Sequence, residues 1–258
     1  MRAGPWPCVL RSTFQHLTGV GPHTEASLWQ RGIGSWDDFR SMGAFAGLSW
    51  SRRRQLEREL AASDTALHEF DAGFFARRLP TAEHWRLYPD FAPKTAFLDI
   101  ETTGLSPYAG IVTVVTVHGG GATRTFIADD NLEELPAYLR RFGVLVTFNG
   151  LMFDVPFLQS RFPQLIVPEA HADLRFILRR LGYSGGLKRI EQVLQLGDRE
   201  GVEGIHGLDA VRLWESYRRG NAGALERLVR YNRADTVNLE PLLRFAVGEM
   251  EKRLLPAT

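Results

Sequence analysis

Acidic residues in three short motifs are the residues of this chain best suited to chemistry. Asp99 and Glu101 lie two apart in an apolar segment, Asp154 follows an Asn-Gly turn, and Asp235 follows Tyr231 by four positions. Carboxylates that converge on one point repel each other unless cations neutralise them. Hard divalent ions prefer oxygen ligands, and two such ions together activate water and stabilise an in-line phosphoryl displacement. The pattern therefore predicts a two-metal nuclease.

The first motif is predicted to end a strand at about 94–101, an apolar segment that turn residues bound on both sides. Successive strand side chains point to opposite faces, so Asp99 and Glu101 share one face while Leu98 and Ile100 face the core. Gly104 permits a tight turn above the site. The alternative is a strand end that carries two solvated acids.

The second motif follows a predicted strand at 143–148 and an Asn-Gly turn. A helix is expected to open at Phe153-Asp154, with Pro156 in its first turn, where a missing N–H costs little. Asp154 would then lie at the positive end of a helix. The alternative is that Asp154 only caps this helix.

The third motif lies in a predicted amphipathic helix at 224–239, which has apolar residues at helical spacing. Tyr231 and Asp235 are four apart and therefore share one face of the helix. A phenol beside a metal-bound carboxylate can hydrogen-bond a nucleophilic water. The alternative is a core tyrosine whose hydroxyl is satisfied by Asp235.

Taken together, the motifs resemble the DEDD 3′–5′ exonuclease superfamily on a ribonuclease H-like fold. Tyr231, with Arg230 where the histidine subgroup has His, resembles the tyrosine (DEDDy) subgroup, and the step from Asn149 to Asp154 is similar to the exonuclease domain of family-B DNA polymerases. A further likeness, over roughly residues 65 to 250, is to bacterial YprB-like ribonuclease H-like proteins. Three further stretches carry it: 74–80, 83–89 and 186–191.

The resemblance implies a role for each acid. Asp99 would bridge two ions, Glu101 and Asp235 would complete the shell of the first, and Asp154 would hold the second through water. Tyr231 would orient the attacking water. The implied ions are Mg²⁺ or Mn²⁺, because the site is all oxygen. Nucleic-acid contacts are expected at Thr102, Gly104, Asn149, Phe153 and Lys188, although Lys188 is also readable as an exposed helix position.

Residues 14–29 resemble a helix-hairpin-helix element. Its loop, with Gly19 and Gly21, would let backbone N–H groups approach a phosphate at the start of a helix. The alternative is that this hairpin only packs helices together.

We expect three regions: a helical, helix-hairpin-helix-like region at 1–65, a helix and linker at 66–93 that pack on the core, and a ribonuclease H-like exonuclease domain at 94–258. The aromatic residues of the linker are expected to pack it onto that domain, with base stacking as the alternative. These residues are Trp85, Tyr88 and Phe91.

The predicted fold class is α/β: a ribonuclease H-like mixed β-sheet flanked by helices, preceded by a small helical N-terminal region. Besides the elements above, strands are expected at about 110–118 and 122–128, joined by three glycines as a hairpin. A helix is expected at 131–142 and a short strand at 165–167. Asp173 is expected to cap a helix at 174–181.

Composition sets limits on the class of protein. The chain has 258 residues, 44% hydrophobic, with one cysteine, so neither a disulfide within the chain nor a zinc-ligand pattern is expected. Its apolar stretches have strand length, and no signal peptide is visible, which favours a cytoplasmic protein without membrane contact. The net charge of +1 is low for a nucleic-acid binder, although arginine pairs supply local positive charge.

The expected partner is nucleic acid, DNA or RNA, with a single-stranded 3′ end. Two other functions stay open. One is a structure-specific or RNA-directed endonuclease with the same two-metal chemistry. The other is a non-catalytic nucleic-acid-binding module, against which the full set of repelling carboxylates argues.

Overall fold

A computed structural model describes residues 9–41 and 48–254 of the chain. Residues 1–8, 42–47 and 255–258, which belong to the predicted N-terminal region and the predicted exonuclease domain, lie outside the described part. Within the described ranges, every helix is too short or too polar to cross a membrane.

Five strands form one mixed sheet in the order β3-β2-β1-β4-β5. β2 pairs antiparallel with both β1 and β3, whereas β4 pairs parallel with β1 and β5 pairs parallel with β4. The predicted α/β class, a mixed sheet flanked by helices, is confirmed. The strands are β1 (Thr95–Thr102), β2 (Val112–Gly119), β3 (Ala122–Ile127), β4 (Val144–Thr147) and β5 (Ala170–Asp173).

Twelve α-helices lie within the described ranges, and short 3₁₀ segments at Leu10–Ser12, Thr81–Leu87, Ala92–Lys94 and Leu132–Glu134 connect several of them. The helices are α1 (Pro22–Gln30), α2 (Trp36–Ser41), α3 (Trp50–His68), α4 (Ala72–Ala76), α5 (Tyr88–Phe91), α6 (Leu135–Leu139), α7 (Asp154–Arg161), α8 (Leu174–Arg180), α9 (Leu187–Leu194), α10 (Gly207–Arg218), α11 (Ala222–Val237) and α12 (Leu239–Leu254).

The two faces of the sheet belong to different apolar clusters. Leu98 and Ile100 point into a cluster with α6 and α7, while Phe97 points into a cluster that contains α8 and α12. Alternation along β1 therefore puts Asp99 and Glu101 on the face opposite Leu98 and Ile100, as the sequence predicts.

The predicted strand at 165–167 is wrong, because the fifth strand lies a few residues later, at β5. Leu165 is buried against the α6 and α7 cluster, but Ile166 is exposed. The sequence pattern does not reveal β5, because His171 and Asp173 interrupt its apolar residues. Both side chains are buried in the structure and have hydrogen-bond partners.

The predicted helix at 131–142 is present in a shorter form, as a 3₁₀ turn followed by α6. The aromatic residues of the linker before β1 are buried. Trp85, Tyr88 and Phe91 are at most 2% exposed, so their rings pack inside the protein and are not free to stack on bases.

A buried ion network fastens the N-terminal helices to this linker. Glu25 accepts hydrogen bonds from the backbone N–H groups of Phe14 and Gln15, at 2.6 and 3.2 Å. It also pairs with Arg86 at 3.1 Å, and Arg86 pairs with Glu83 at 2.7 Å. Glu25 and Arg86 are almost fully buried, so the charge of Glu25 depends on Arg86, while the charge of Arg86 is balanced by Glu25 and Glu83 together.

We expect Glu25→Ala to lower the free energy of unfolding by about 3–5 kcal/mol, because it breaks a buried ion pair of Arg86 and leaves the N–H groups of Phe14 and Gln15 without their acceptor. Urea unfolding of the purified protein measures this. The matched control is Glu226→Ala, which removes an exposed pair with Arg230 and should cost about 1 kcal/mol or less. Equal losses in the two variants would show that the buried network contributes nothing special.

Candidate metal centre

The carboxylates of the first and third motifs meet where β1 lies against α11. Asp99 and Glu101 project from one face of β1, and α11 packs across that face. Asp99, Glu101 and Asp235 each offer a carboxylate oxygen, and the three oxygens lie within 4.8 Å of one another. The i, i+4 spacing of Tyr231 and Asp235 directs both side chains to this point.

Burial and mutual repulsion disfavour the ionised forms of these acids. Burial raises the pKa of Asp99 well above its usual range, and the charges of Asp235, Asp154 and Glu101 raise it further. Burial also raises the pKa of Glu101, with Asp235 and Asp154 adding to the effect. A hydrogen bond from Asn232 acts in the opposite direction on both groups.

Asp154 lies beside this group of three, near enough for its charge to act on Asp99 and Glu101. It is the first residue of α7, and Phe153 holds the N-cap position, so the alternative that Asp154 is only the cap is wrong. Burial raises the pKa of Asp154 to about 7, and the charge of Asp173 adds to this. The second motif is thus brought to the same site as the other two.

Tyr231 is buried at the edge of the group. Burial raises the pKa of the phenol, and the nearby charges of Asp235, Glu101 and Asp99 raise it further. The phenol therefore keeps its proton and can donate it in a hydrogen bond.

Lys188 also reaches this corner of the site. Its Nζ lies 4.4 Å from the centre of the Tyr231 ring and donates to the carbonyl of Ile205. Burial lowers the pKa of Lys188, whereas the charges of Asp235 and Glu101 raise it. The side chain is half-buried, so the interpretation as an exposed helix position is wrong.

The remaining predicted contacts near the motifs have local partners. Thr102 donates through its hydroxyl to the carbonyl of Gly104 at 2.6 Å, which shapes the turn after β1. Asn149 has a φ of 68° and accepts from Arg175 at 2.6 Å through its side-chain oxygen. Phe153 is half-buried and packs 4.8 Å from the ring of Phe157.

Asp173 caps α8 as predicted, by accepting from the backbone N–H of Arg175 at 3.0 Å. It also accepts from the backbone N–H groups of Asn149 and Leu151, at 2.8 and 3.1 Å. These bonds hold the turn that leads to Asp154.

Gly19 and Gly21 lie in the irregular segment before α1, where the sequence predicts the loop of the helix-hairpin-helix-like element, away from the carboxylate group. They line a separate surface depression together with His16 and Arg78, and its lining includes none of the catalytic candidates. Gly19 has a φ of +68°, which favours glycine, and Gly21 is the N-cap of α1.

Sequence reasoning missed two residues of the site. Asn232 donates from Nδ2 to Asp99 at 2.7 Å, and its Oδ1 is buried without a partner. Arg199 donates from Nη1 to Asp235 at 2.5 Å. Asn232 lies three positions before Asp235, so helical spacing could have predicted that the two share a face of the helix. Arg199 lies in a loop, and no sequence pattern predicts its position in the site.

The residues present fit a divalent cation. The donors are all carboxylate oxygens, which Mg²⁺ and Mn²⁺ prefer. Glu101 and Asp235 are buried and Asp99 is half-buried, at distances where like charges repel. The buried Oδ1 of Asn232 offers a further oxygen without a partner beside Asp99. Cations would remove the repulsion that raises the pKa of these acids.

The chain belongs to the RNase_H superfamily, whose family model matches residues 96–247. That segment carries every carboxylate of the group, Asp154 and Tyr231. No curated protein matches the sequence.

The solved structures that are similar to this chain at low identity include the following three. The family B DNA polymerase of Pyrobaculum calidifontis is 21% identical, with a TM-score of 0.48, over 59% of this chain and 25% of that one, so the likeness spans a quarter of the polymerase. The Nibbler EXO domain of Aedes aegypti is 12% identical, with a TM-score of 0.44, over 66% and 85% of the two chains. NrnC of Brucella melitensis is 18% identical, with a TM-score of 0.42, over 68% and 79%.

Repulsion among the acids predicts that Asp99→Asn stabilises the metal-free protein. The amide keeps an acceptor for Asn232 but removes one charge, so in EDTA at pH 8 we expect the melting temperature to rise by about 2 °C or more. Thermal unfolding with and without Mn²⁺ measures this, and the increase that Mn²⁺ gives the wild type should be much smaller in the variant.

The control for this experiment is Glu226→Gln, which removes an exposed charge on the same helix as Asp235. It should leave both melting temperatures unchanged. A lower melting temperature for Asp99→Asn in EDTA would contradict the repulsion on which the interpretation of the site depends.

Proposed function

We propose that this protein is a divalent-metal-dependent 3′–5′ exonuclease that hydrolyses phosphodiester bonds of nucleic acid. The observation that supports this most is the meeting of Asp99, Glu101 and Asp235 within 4.8 Å, with Asp154 beside them. Membership of the RNase_H superfamily is consistent with nucleic acid as the substrate. The finer assignment, to the tyrosine subgroup and to YprB-like proteins, is part of this proposal.

The proposed site holds two Mg²⁺ or Mn²⁺ ions. Asp99, Glu101, Asp154 and Asp235 are the proposed ligands. When bound, the ions would supply an activated water and stabilise the charge that develops on the phosphate. The site is buried enough to strengthen both effects, because electrostatic interactions weaken in bulk water.

Tyr231 is proposed to hold the attacking water. Its phenol stays protonated beside Asp235, so it can donate a hydrogen bond to an oxygen and fix its direction. Correct orientation of a nucleophile can contribute a large share of a rate enhancement. Lys188, beside the same ring, is proposed to contact a substrate phosphate.

The first experiment is cleavage of 5′-labelled single-stranded DNA and RNA with Mn²⁺, Mg²⁺ or EDTA. We expect a metal-dependent ladder that shortens from the 3′ end. Asp99→Ala or Asp235→Ala should lower the rate by about 10²-fold or more, because each removes charge aimed at the reacting group. Full activity in Asp99→Ala would falsify the proposed site.

Tyr231→Phe should slow cleavage by about 10- to 100-fold, because the attacking water loses its orientation, while the affinity for Mn²⁺ stays unchanged. Single-turnover rates at saturating metal, with calorimetric Mn²⁺ titration in parallel, separate the two effects. If Tyr231→Phe lowered the Mn²⁺ affinity as well as the rate, the phenol would act by positioning a metal ligand and not by orienting the water.

Two other functions remain as outcomes of these assays. Cleavage of a circular or end-blocked substrate would identify an endonuclease with the same ligands. Binding without cleavage of any substrate, unaffected by Asp99→Ala, would identify a nucleic-acid-binding module.

The N-terminal hairpin is proposed to hold the backbone of the substrate. Its loop lies at the start of α1, where backbone N–H groups favour a phosphate, and Arg78 lies in the same depression. Contacts of this kind position a nucleic acid without reading its sequence.

Gly21→Ala tests the hairpin without disturbing the fold, since a Cβ at Gly21 meets no atom within 4 Å. We expect about fivefold weaker binding of a duplex with a 3′ overhang, because the added methyl group would obstruct the approach of a phosphate to the backbone N–H and weaken one hydrogen bond by about 1 kcal/mol. The cleavage rate at saturating substrate should not change. Gly248→Ala, at another open position, is the control, and equal affinities of the two variants would make the hairpin purely structural.

A further inference from the structure

The loop between α9 and α10 delivers an arginine to the carboxylate group. Arg199 donates from Nη1 to Oδ1 of Asp235 and from Nε to Oε2 of Glu191, both at 2.5 Å. The guanidinium thus bridges one proposed metal ligand and one acid outside the ligand group.

The second of these contacts anchors the arginine. The side chain of Glu191 is 4% exposed, and its other oxygen accepts from Nδ2 of Asn238 at 3.1 Å. Withdrawal of Arg199 would leave Glu191 as a buried charge without its cation, which is strongly unfavourable. The arginine is therefore held in place independently of Asp235.

The loop backbone is fixed to the same asparagine. Oδ1 of Asn238 accepts from the N–H of Asp198 at 2.9 Å, and its Nδ2 donates to the carbonyl of Asp198 at 3.1 Å. Gly197 lies so close that a Cβ there would be 2.7 Å from Nδ2 of Asn238. Asn238 is the C-cap of α11, so one helix carries both Asp235 and the anchor of the loop.

We propose that Arg199 is a positioning residue for Asp235. It engages one carboxylate oxygen and leaves the other for the metal ion, and its charge offsets part of the repulsion before an ion binds. Partners that orient a ligand in this way typically change metal affinity by about 10–100-fold. This inference rests on the proposed metal-dependent function and adds a residue to it.

The test is Mn²⁺ affinity without substrate, measured by calorimetry and by electron paramagnetic resonance of free Mn²⁺. Arg199→Ala should raise the Kd by about tenfold. Arg199→Lys keeps the charge but lacks the fork that joins two carboxylates, so it should bind with intermediate affinity, and it keeps the test open if the alanine variant does not fold.

Arg189→Ala is the matched control. Arg189 is exposed and lines the same cavity of about 750 Å³ as Arg199, so its removal changes the local charge equally without touching Asp235. Its Kd for Mn²⁺ should equal that of the wild type, and melting temperatures in EDTA report any loss of folding separately.

The outcomes separate the two levels of the proposal. An unchanged Kd in both Arg199 variants makes the arginine a structural residue and overturns the inference alone. Tighter Mn²⁺ binding in Arg199→Ala shows that the arginine competes with the ion, which also overturns it. No Mn²⁺ binding by the wild type overturns the proposed function and this inference together.

Discussion

The fold holds like charges close together at the junction of β1 and α11. Three carboxylate oxygens lie within 4.8 Å of one another, and a fourth acid, Asp154, adds to their repulsion. In a medium of low polarity this repulsion is far stronger than in water. Such an arrangement persists only if the surrounding fold holds the acids in place, and bound cations would neutralise their repulsion.

Different parts of the fold position the individual acids. Pairing of β1 with neighbours on both sides fixes the strand and hence the direction of Asp99 and Glu101. Packing of α11 across the sheet places Asp235, and the backbone bonds to Asp173 shape the turn before Asp154. The apolar clusters on both faces supply the free energy that opposes the repulsion.

The sequence predicted those parts of the site that follow from local periodicity. The alternation of β1 gave the shared face of Asp99 and Glu101, and the helical repeat gave the shared face of Tyr231 and Asp235. Contacts between segments that are distant in the sequence could not be predicted from local periodicity. Arg199 reaches Asp235 from 36 positions away through a loop. His171 and Asp173 of β5 likewise have hydrogen-bond partners 24 positions away, at Thr147 and Asn149.

The linker before β1 shows the same difference between features that local sequence predicts and contacts between distant segments that it does not. Its aromatic residues predicted packing, but nothing in the sequence indicated that Arg86 would be buried between Glu25 and Glu83. That network connects the loop-bearing N-terminal helices to the segment that leads directly into the strand of Asp99 and Glu101. If the proposed hairpin holds the backbone of a nucleic acid, this network would fix the distance, along the nucleic-acid strand, between the hairpin contact and the bond that is cleaved. The ion network opposes movement of the linker away from α1, because separating Arg86 from Glu25 would break a buried ion pair.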